Sequence, residues 1–135
     1  SYSDWRDGLK VNLDASFILT KNLSPLLKES NSSSIIFTSS GVGRKGRAYW
    51  GAYSISKFAT EAMMQILFDE LQNTTSIRVN CINPGAVRTK MRESAYPAEN
   101  PENNPSAVEI MNPYLYLMSD LSKDISGQSI DAQAH

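Results

Sequence analysis

Two short runs of β-branched and apolar residues flank a long helical pattern, and this arrangement most constrains the fold. The runs are SSSIIFTSS at residues 32–40 and SIRVNCIN at residues 76–83, and the helical pattern fills residues 52–71 between them. Both runs are short enough to be strands, and each ends in small polar or turn residues. Two strands that are joined by a helix run parallel in one sheet. The sequence therefore predicts an α/β protein with a parallel sheet.

The first residues of the chain predict a long helix. Over residues 3–29, apolar side chains recur three and four positions apart and cover more than one stripe of the helix surface. They are Leu9, Leu13, Phe17 and Leu27 on one side, widened by Val11, Ala15, Ile18, Leu19 and Leu23. A helix with so wide an apolar surface is expected to be buried on two sides, for example against a sheet and against a partner subunit. Pro25 is expected to bend its last turns.

The remainder of the chain predicts a polar connection, a helix and a last strand. Residues 86–105 are polar and carry three prolines, which is typical of a disordered segment or of a functional lid. Ser106 and Glu109 form a capping-box pattern, which predicts a helix from there to about Met118. The run GQSIDA at residues 127–132 predicts a short final strand.

Composition argues against several classes of function. The 135 residues suit one domain, and the net charge of -1 gives no sign of binding to nucleic acid or to a membrane surface. Cys81 is the only cysteine and His135 the only histidine, so neither a disulfide framework, a thiolate zinc site nor Ser/His catalysis is expected. Cys81 lies in an apolar run and is expected to be an inert core thiol. Without a bilayer-spanning run or a secretory leader, the chain is expected to be cytoplasmic.

Within the helical pattern, Tyr53 and Lys57 stand apart from the apolar face. That face is predicted to be buried and consists of Ile55, Phe58, Ala59, Ala62, Met63, Ile66, Leu67 and Leu71. Tyr53 and Lys57 are four residues apart and so lie one above the other on another side of the helix. The pKa of a free tyrosine is about 10, and a neighbouring ammonium at the start of a helix favours the phenolate. Such a tyrosine can exchange a proton with an alcohol or carbonyl oxygen. For an isolated pair, a surface tyrosine beside a solvated lysine is the commoner interpretation.

Four motifs occur in order along the chain. They are VNLDASF at residues 11–17, SSGVG at 39–43, YSISK at 53–57 and NPGAVRT at 83–89. With these motifs the chain closely resembles the C-terminal half of the short-chain dehydrogenase/reductase (SDR) family. The resemblance implies a Rossmann-like doubly wound parallel sheet, to which residues 1–135 would contribute about three strands with flanking helices. The glycine-rich N-terminal half, which grips the dinucleotide in that family, is absent from this sequence.

The resemblance also implies roles for individual residues. Tyr53 would exchange the proton with the substrate, and Lys57 would promote the phenolate. Ser40 would hydrogen-bond the substrate oxygen, with Ser39 as the alternative one position earlier. Asn12 would hold a water of a proton relay that reaches Lys57. The cofactor would be NAD or NADP. Lys57 would hold the nicotinamide ribose, Pro84, Gly85 and Val87 would meet the nicotinamide, and Thr89 would contact the carboxamide or a phosphate.

The same resemblance implies a reaction and an assembly. The enzyme would transfer hydride between the nicotinamide and a small carbonyl or secondary-alcohol substrate. It would form a homodimer or homotetramer through the first helix and the helix of residues 52–71. The alternatives are a non-catalytic binding or assembly module of the same ancestry, and a fragment that interacts only through its helices.

Two further groups of residues have open interpretations. Tyr49, Trp50 and Tyr96 either line a substrate pocket or pack against one another. The basic residues after the NPG turn could face phosphate or be solvated on a lid, and solvation is favoured: Arg88, Lys90 and Arg92.

Overall fold

The chain folds around a sheet of three parallel strands. In the computed structural model, which describes residues 1–133, the strands are β1 (Ser33–Thr38), β2 (Ile77–Asn83) and β3 (Ser129–Asp131), in the order β1-β2-β3. β1 pairs with β2 along its whole length, and β2 pairs with β3 near its end. The predicted α/β fold with a parallel sheet is confirmed. β3 is shorter than the predicted strand, and His135 lies outside the described residues.

Helices pack against the sheet. They are α1 (Tyr2–Leu9), α2 (Ala15–Glu29), α3 (Gly51–Leu71), α4 (Lys90–Ala95) and α5 (Asn112–Met118). Single 3₁₀ turns cover Gly41–Gly43, Pro101–Asn103, Val108–Ile110 and Asp120–Ser122. α2 and α5 contact β1, and α3 contacts β2. Within residues 1–133, no helix combines the length and the apolar character that crossing a membrane requires.

The first helix is interrupted where the sequence predicted one continuous element. A π turn, Lys10–Asp14, separates α1 from α2, and Asn12 lies at its centre. Such a turn inserts extra backbone without changing the composition of the segment, so the apolar pattern does not show it. α2 then continues through Pro25 to Glu29.

The core lies between α3, α2 and the sheet. Its buried cluster consists of Phe37, Met64, Ile77, Val79 and Cys81, and Leu27 of α2 packs against it. All seven residues of β2 are buried, which is typical of a strand with a neighbour on each side and both faces covered. The NPG turn therefore follows a strand that is buried along its whole length.

The apolar stripe of α3 is only partly buried, so the predicted orientation of this helix is wrong in part. One half of the stripe packs against the core: Met63, Leu67 and Leu71. The other half includes the side chains that are 44–58% exposed: Ile55, Phe58 and Ile66. The fully buried face consists instead of Ser54, Ser56, Lys57, Thr60, Glu61 and Met64. This face is mostly small and polar because its side chains hydrogen-bond the loop and strand ends beneath them.

α2 also leaves apolar side chains exposed. Four of them are between 47% and 60% exposed: Phe17, Ile18, Leu19 and Leu23. Residues 1–133 thus cover the wide apolar surface of the first helix on only one of its sides. The second covering surface that the sequence predicts is not supplied by the described residues.

Ser106 and Glu109 are hydrogen-bonded, but only one of the two reciprocal bonds of a capping box is present, and the pair does not open a long helix. The backbone N–H and the hydroxyl of Ser106 both donate to Glu109, at 2.7 and 2.6 Å. A single 3₁₀ turn follows, and α5 begins only at Asn112. Pro113 explains the later start, because proline is tolerated in the first turn of a helix and not in its interior.

Candidate active site

The carboxyl ends of β1 and β2 and the start of α3 enclose a cavity of about 460 Å³. A cavity of this size suits a small organic ligand, and open parallel sheets bind ligands at the carboxyl ends of their strands. Six of the predicted site residues line it: Ser40, Tyr53, Pro84, Gly85, Val87 and Thr89. The structure therefore brings together residues from three separate motifs of the sequence.

Lys57 lies one turn along α3 from Tyr53. Its Nζ donates to the carbonyl of Thr38 at 2.7 Å and lies 5.6 Å from the centre of the Tyr53 ring. Lys57 is only 9% exposed, and this burial lowers the pKa of its ammonium. The four-residue spacing thus places the cationic group of Lys57 close to the phenol, as the helix geometry predicted.

Asn12 lies on the π turn between α1 and α2. That turn packs against α3, and Asn12 itself is half-buried. Single π turns are frequent at functional sites because they redirect a backbone carbonyl or a side chain. The part of Asn12 in a proton relay stays a prediction.

The two serines at the end of β1 have different environments. Ser39 is buried, and its hydroxyl donates to Glu61. Ser40 is half-buried, and its Oγ accepts a hydrogen bond from the backbone N–H of Val42 at 3.4 Å. Because the hydroxyl of Ser39 is engaged in the interior, the geometry favours Ser40 over Ser39 as the serine that meets a ligand.

A polar network that the sequence did not predict lies beside the two serines and runs from the buried Glu61 to exposed residues at the surface. Oε1 of Glu61 accepts hydrogen bonds from the hydroxyls of Ser39 and Ser129. Arg44 donates to Ser129 at 2.8 Å and to Asp131 at 2.7 Å, and its Nε lies 3.6 Å from Glu61. The network ties the ends of β1 and β3 to α3. Its one signal in the sequence is that Glu61 lies one turn beyond the YSISK motif, on the polar side of the helix.

The turn after β2 presents its backbone to the cavity. Gly85 adopts φ +73°, a conformation that L side chains rarely adopt. Its backbone N–H donates to Oδ1 of Asn83 at 3.1 Å. The turn is thereby tight, and the segment from Pro84 to Val87 forms one wall of the cavity.

Aromatic rings form another wall. The centre of the Trp50 ring lies 5.6 Å from that of Tyr53 and 6.2 Å from that of Tyr96. All three residues line the cavity, and so does Tyr49. Trp50 and Tyr96 thus line the cavity and also pack against each other, whereas Tyr49 is fully exposed. That the cavity holds a substrate stays a prediction.

The segment of residues 88–105, which we call the lid, is held by ion pairs. Nε and Nη2 of Arg92 each donate to Glu99 at 2.7 Å, and the guanidinium lies 3.7 Å from the centre of the Tyr96 ring. The hydrogen bonds from Arg92 lower the pKa of Glu99 to about 2. Arg88 forms an ion pair of its own. The favoured interpretation, that these basic residues are solvated, is thus wrong for Arg92, which is half-buried in its ion pair, whereas Arg88 and Lys90 are exposed.

Comparison with known proteins identifies relatives along the whole described chain. The oxidoreductase YciK of Escherichia coli K12 is 54% identical over 129 residues, which are 96% of this chain and 50% of that protein. A short chain dehydrogenase from Shigella flexneri 2a, solved in complex with NADP, is 51% identical with a TM-score of 0.95, over 99% of this chain and 55% of that one. An NADPH-dependent aldehyde reductase-like protein of Arabidopsis thaliana is 35% identical over 91 residues, which are 67% of this chain and 33% of that protein.

The chain spans about half the length of the YciK and Shigella relatives. The family model for short chain dehydrogenases matches residues 1–100, a range that contains all four motifs found in the sequence. The parallel sheet and the cavity at its carboxyl edge agree with that match. The chain belongs to the short chain dehydrogenase family.

Proposed function

We propose that this chain carries the catalytic half of an NAD(P)-dependent oxidoreductase, which transfers hydride between a nicotinamide cofactor and a carbonyl or secondary alcohol. One observation carries the proposal. Ser40, Tyr53 and the turn at Gly85 line a single cavity, and the ammonium of Lys57 lies 5.6 Å from the phenol ring. Hydroxyl groups, a cation and an accessible backbone thus converge at one place.

The side chains divide the proton chemistry among them. In the reduction, Tyr53 donates a proton to the carbonyl oxygen, and in the oxidation it takes the proton back. Ser40 donates a hydrogen bond that orients the same oxygen. Lys57 stabilises the phenolate that proton transfer leaves behind, because its positive charge lies close by. Asn12, on the π turn beside α3, supports the return of protons toward Lys57.

The wall formed by the turn after β2 fits the nicotinamide end of NAD or NADP. The backbone of Pro84, Gly85 and Val87 and the hydroxyl of Thr89 offer the donors and acceptors that a carboxamide requires, and Lys57 holds the ribose hydroxyls. When bound, the cofactor supplies or accepts the hydride. The Shigella relative was solved with NADP and the Arabidopsis relative is named NADPH-dependent, which favours NADP(H).

The proposal requires a dinucleotide-binding half in addition to these residues. The chain, residues 1–135, is then the C-terminal part of a single Rossmann-type domain. Two observations support this. The relatives are about twice as long, and within the described residues β1 pairs only with β2. The outer edge of β1 is therefore free to accept a further strand.

The walls of the cavity favour a neutral and largely apolar substrate. Much of the lining is apolar or aromatic, and includes Trp50, Met91, Tyr96, Ile110 and Tyr114. Among the described lining residues, the one charged side chain is that of Arg92, which is already paired with Glu99. A carboxylate or phosphate substrate would lose its hydration without gaining a partner, whereas an alkyl or aromatic aldehyde or ketone would not.

We also propose a homodimer or homotetramer in the cytoplasm. α2 and α3 expose apolar side chains, among them Phe17, Leu19, Phe58 and Ile66. Removing such surface from water stabilises an assembly by roughly 25 cal/mol per Å². The single, buried Cys81 leaves no pair of thiols within the chain for a disulfide, which suits a reducing compartment.

Tyr53→Phe in the full-length protein tests the proposed function. We expect NADPH- or NADH-dependent turnover of neutral aldehydes and ketones to fall by roughly 10²–10⁴-fold, with an unchanged melting temperature. Tyr116→Phe, on the exposed side of α5, is the matched control and should turn over normally. Turnover by Tyr53→Phe at the wild-type rate would remove the assignment. A wild-type protein that binds NADPH but converts no substrate would be a non-catalytic module.

A further inference from the structure

One side chain at the end of the described chain bridges both carbonyls of the turn after β2. Nε2 of Gln133 donates to the carbonyl of Pro84 at 2.7 Å and to the carbonyl of Ala86 at 2.8 Å. A glutamine amide has two N–H groups, so each carbonyl can receive its own hydrogen. The two acceptors flank Gly85 on either side. One nitrogen therefore holds the turn at both ends.

Gly85 and Gln133 fit each other sterically. A Cβ placed on Gly85 would lie 2.8 Å from Nε2 and 3.2 Å from Cδ of Gln133. The amide thus packs directly against the α-carbon of Gly85, in the space that any side chain would fill. Glycine is required here for this contact as well as for its φ of +73°.

The last strand determines where Gln133 stands. β3 pairs with β2 so that Asp131 lies opposite Asn83. Nδ2 of Asn83 donates to Asp131 at 2.8 Å, and the backbone N–H of Ala132 donates to the carbonyl of Asn83 at 2.9 Å. The pairing of β3 with β2 therefore places Gln133 next to the turn, and the same pairing fixes Asn83, the residue before Pro84.

Holding the carbonyls also orients the amide groups of the turn. A trans peptide group is planar, and its C=O and N–H point in opposite directions. The carbonyl of Ala86 and the N–H of Val87 belong to one such group, and the structure has no cis peptide bond within the described residues. With the carbonyl directed at Gln133, the N–H of Val87 must point to the opposite side. The carbonyl of Pro84 and the N–H of Gly85 form another such group. With that carbonyl directed at Gln133, the N–H of Gly85 points the other way and donates to Oδ1 of Asn83.

We propose that Gln133 is a positioning residue for cofactor binding: it fixes the peptide plane that follows Pro84 and the one that follows Ala86, so that the backbone of Val87 is directed at the nicotinamide carboxamide. The inference rests on the proposed function, because the turn matters only if a nicotinamide binds there. Gln133 is not among the residues that line the cavity, and its amide contacts the backbone of the turn instead. Its loss should therefore weaken cofactor binding more than it slows the chemistry.

Gln133→Ala and Gln133→Met in the full-length protein test this role by direct titration with NADPH. Gln133→Met has a similar length and no donor, so it keeps the packing on Gly85 if the alanine variant fails to fold. We expect the Kd for NADPH to rise about tenfold in either variant, the typical effect of losing one or two hydrogen bonds. We expect kcat at saturating NADPH to stay within about twofold of wild type. A purely structural role would instead lower the melting temperature and leave the Kd of the folded fraction unchanged.

The matched control is Gln128→Ala. Gln128 lies on the same C-terminal segment, but its side chain is exposed and bonds only weakly to Ser126, at 3.5 Å. We expect its Kd for NADPH to equal that of wild type. Wild-type affinity in both Gln133 variants would overturn the positioning role and leave the proposed function intact. A wild-type protein that does not bind NADPH or NADH would overturn both.

Discussion

Lys57 donates a hydrogen bond to the carbonyl of Thr38 at 2.7 Å, and this bond fixes where its charge stands relative to Tyr53. Thr38 is the last residue of β1, so the sheet itself holds the lysine. The stem of Lys57 is enclosed as well, because Gly43 packs directly against it. The arrangement of the site therefore depends on close contact between α3 and the loop after β1, in addition to the spacing of Tyr53 and Lys57.

Replacing Lys57 by Met removes this charge, and measuring both turnover and melting temperature separates its effect on catalysis from its effect on stability. Burial lowers the pKa of Lys57 from its usual 10.5, so the charged form is disfavoured in the folded state. The resulting cost is fully present at low pH and fades as pH rises through the window below 10.5. We expect turnover to fall at least ~100-fold, while the melting temperature at neutral pH stays close to wild type or rises. A variant that melts much earlier yet turns over normally would contradict this.

Gly43→Ala should disturb the same contact from the other side. A Cβ at Gly43 would lie 2.8 Å from Cβ of Lys57 and 2.9 Å from its backbone carbonyl. Backbone atoms cannot move aside cheaply, so we expect a loss of about 1–3 kcal/mol in the free energy of unfolding. Lower turnover should accompany it. Gly46→Ala is the matched control, since a Cβ there would meet nothing within 4 Å. Urea unfolding curves measure both variants, and equal midpoints would contradict the close approach.

The alternation of strands and helices could be predicted because it depends on local pattern. The orientation of α3 could not be predicted, for a physical reason. Apolar periodicity marks the side chains that should leave water, but it does not say which surface will cover them. Ile55 and Phe58 are exposed in this chain. Ser54 and Lys57 face the interior instead, because Ser54 donates a hydrogen bond to the loop after β1 and Lys57 donates one to the last residue of β1.

The site could be predicted only as far as its residues lie in short motifs. Ser40, Tyr53 and Gly85 stand in such motifs, and the fold brings them to one cavity. Glu61 and Gln133 act through partners that are distant along the chain. The pairing of β2 with β3 brings these partners together, and no local sequence pattern predicts the register of that pairing.

Glu99→Gln should loosen the lid. Glu99 accepts two hydrogen bonds from Arg92 and a third from Asn104, and the amide removes the charge that makes the first two strong. We expect trypsin to cut after Lys90 and Arg92 several-fold faster than in wild type. Glu93→Gln is the control, because Glu93 is an exposed residue of α4. Equal cleavage rates in the two variants would contradict the idea that the ion pair between Arg92 and Glu99 holds the lid.

Acid should loosen the lid in the unmodified protein as well. The pKa of Glu99 is about 2 in the folded state and 4.5 ordinarily. The contribution of its ion pair is therefore fully present above the ordinary value and is lost as pH falls from 4.5 toward 2. Hydrogen exchange of the lid amides, corrected for the intrinsic effect of pH, should show reduced protection in that window. Undiminished protection of the lid at the acidic end would contradict the pairing.

Cys81 should be inert toward thiol reagents until the protein unfolds. It is the only cysteine of the sequence, and burial, with the neighbouring Glu61 carboxylate as a smaller cause, raises its pKa to about 12. The thiolate, which is the reactive form, is therefore scarce at neutral pH. We expect no labelling of the peptide that contains Cys81 by iodoacetamide in the native protein and complete labelling in denaturant. Labelling of the folded protein would show that the strand opens.

Trp50→Ala should reveal which substrates the cavity accepts. Trp50 packs between Tyr53 and Tyr96 at the wall of the cavity, and its removal leaves an apolar substrate without that surface. We expect kcat/KM for a benzaldehyde-type substrate to fall by roughly 10–100-fold, in keeping with the free energy of a lost apolar contact. A small polar aldehyde, which does not reach the ring, should be affected much less.

Trp5→Ala is the matched control for this experiment. Trp5 lies on α1, is 36% exposed and is not part of the cavity wall, so the variant should retain the substrate preference of the wild type. A carboxylated benzaldehyde provides the second comparison in the unmodified protein. Because the guanidinium of Arg92 is committed to Glu99, the carboxylate should lower kcat/KM. A preference for the charged substrate would show instead that the ion pair opens to admit it, and the neutral substrate class would then be wrong.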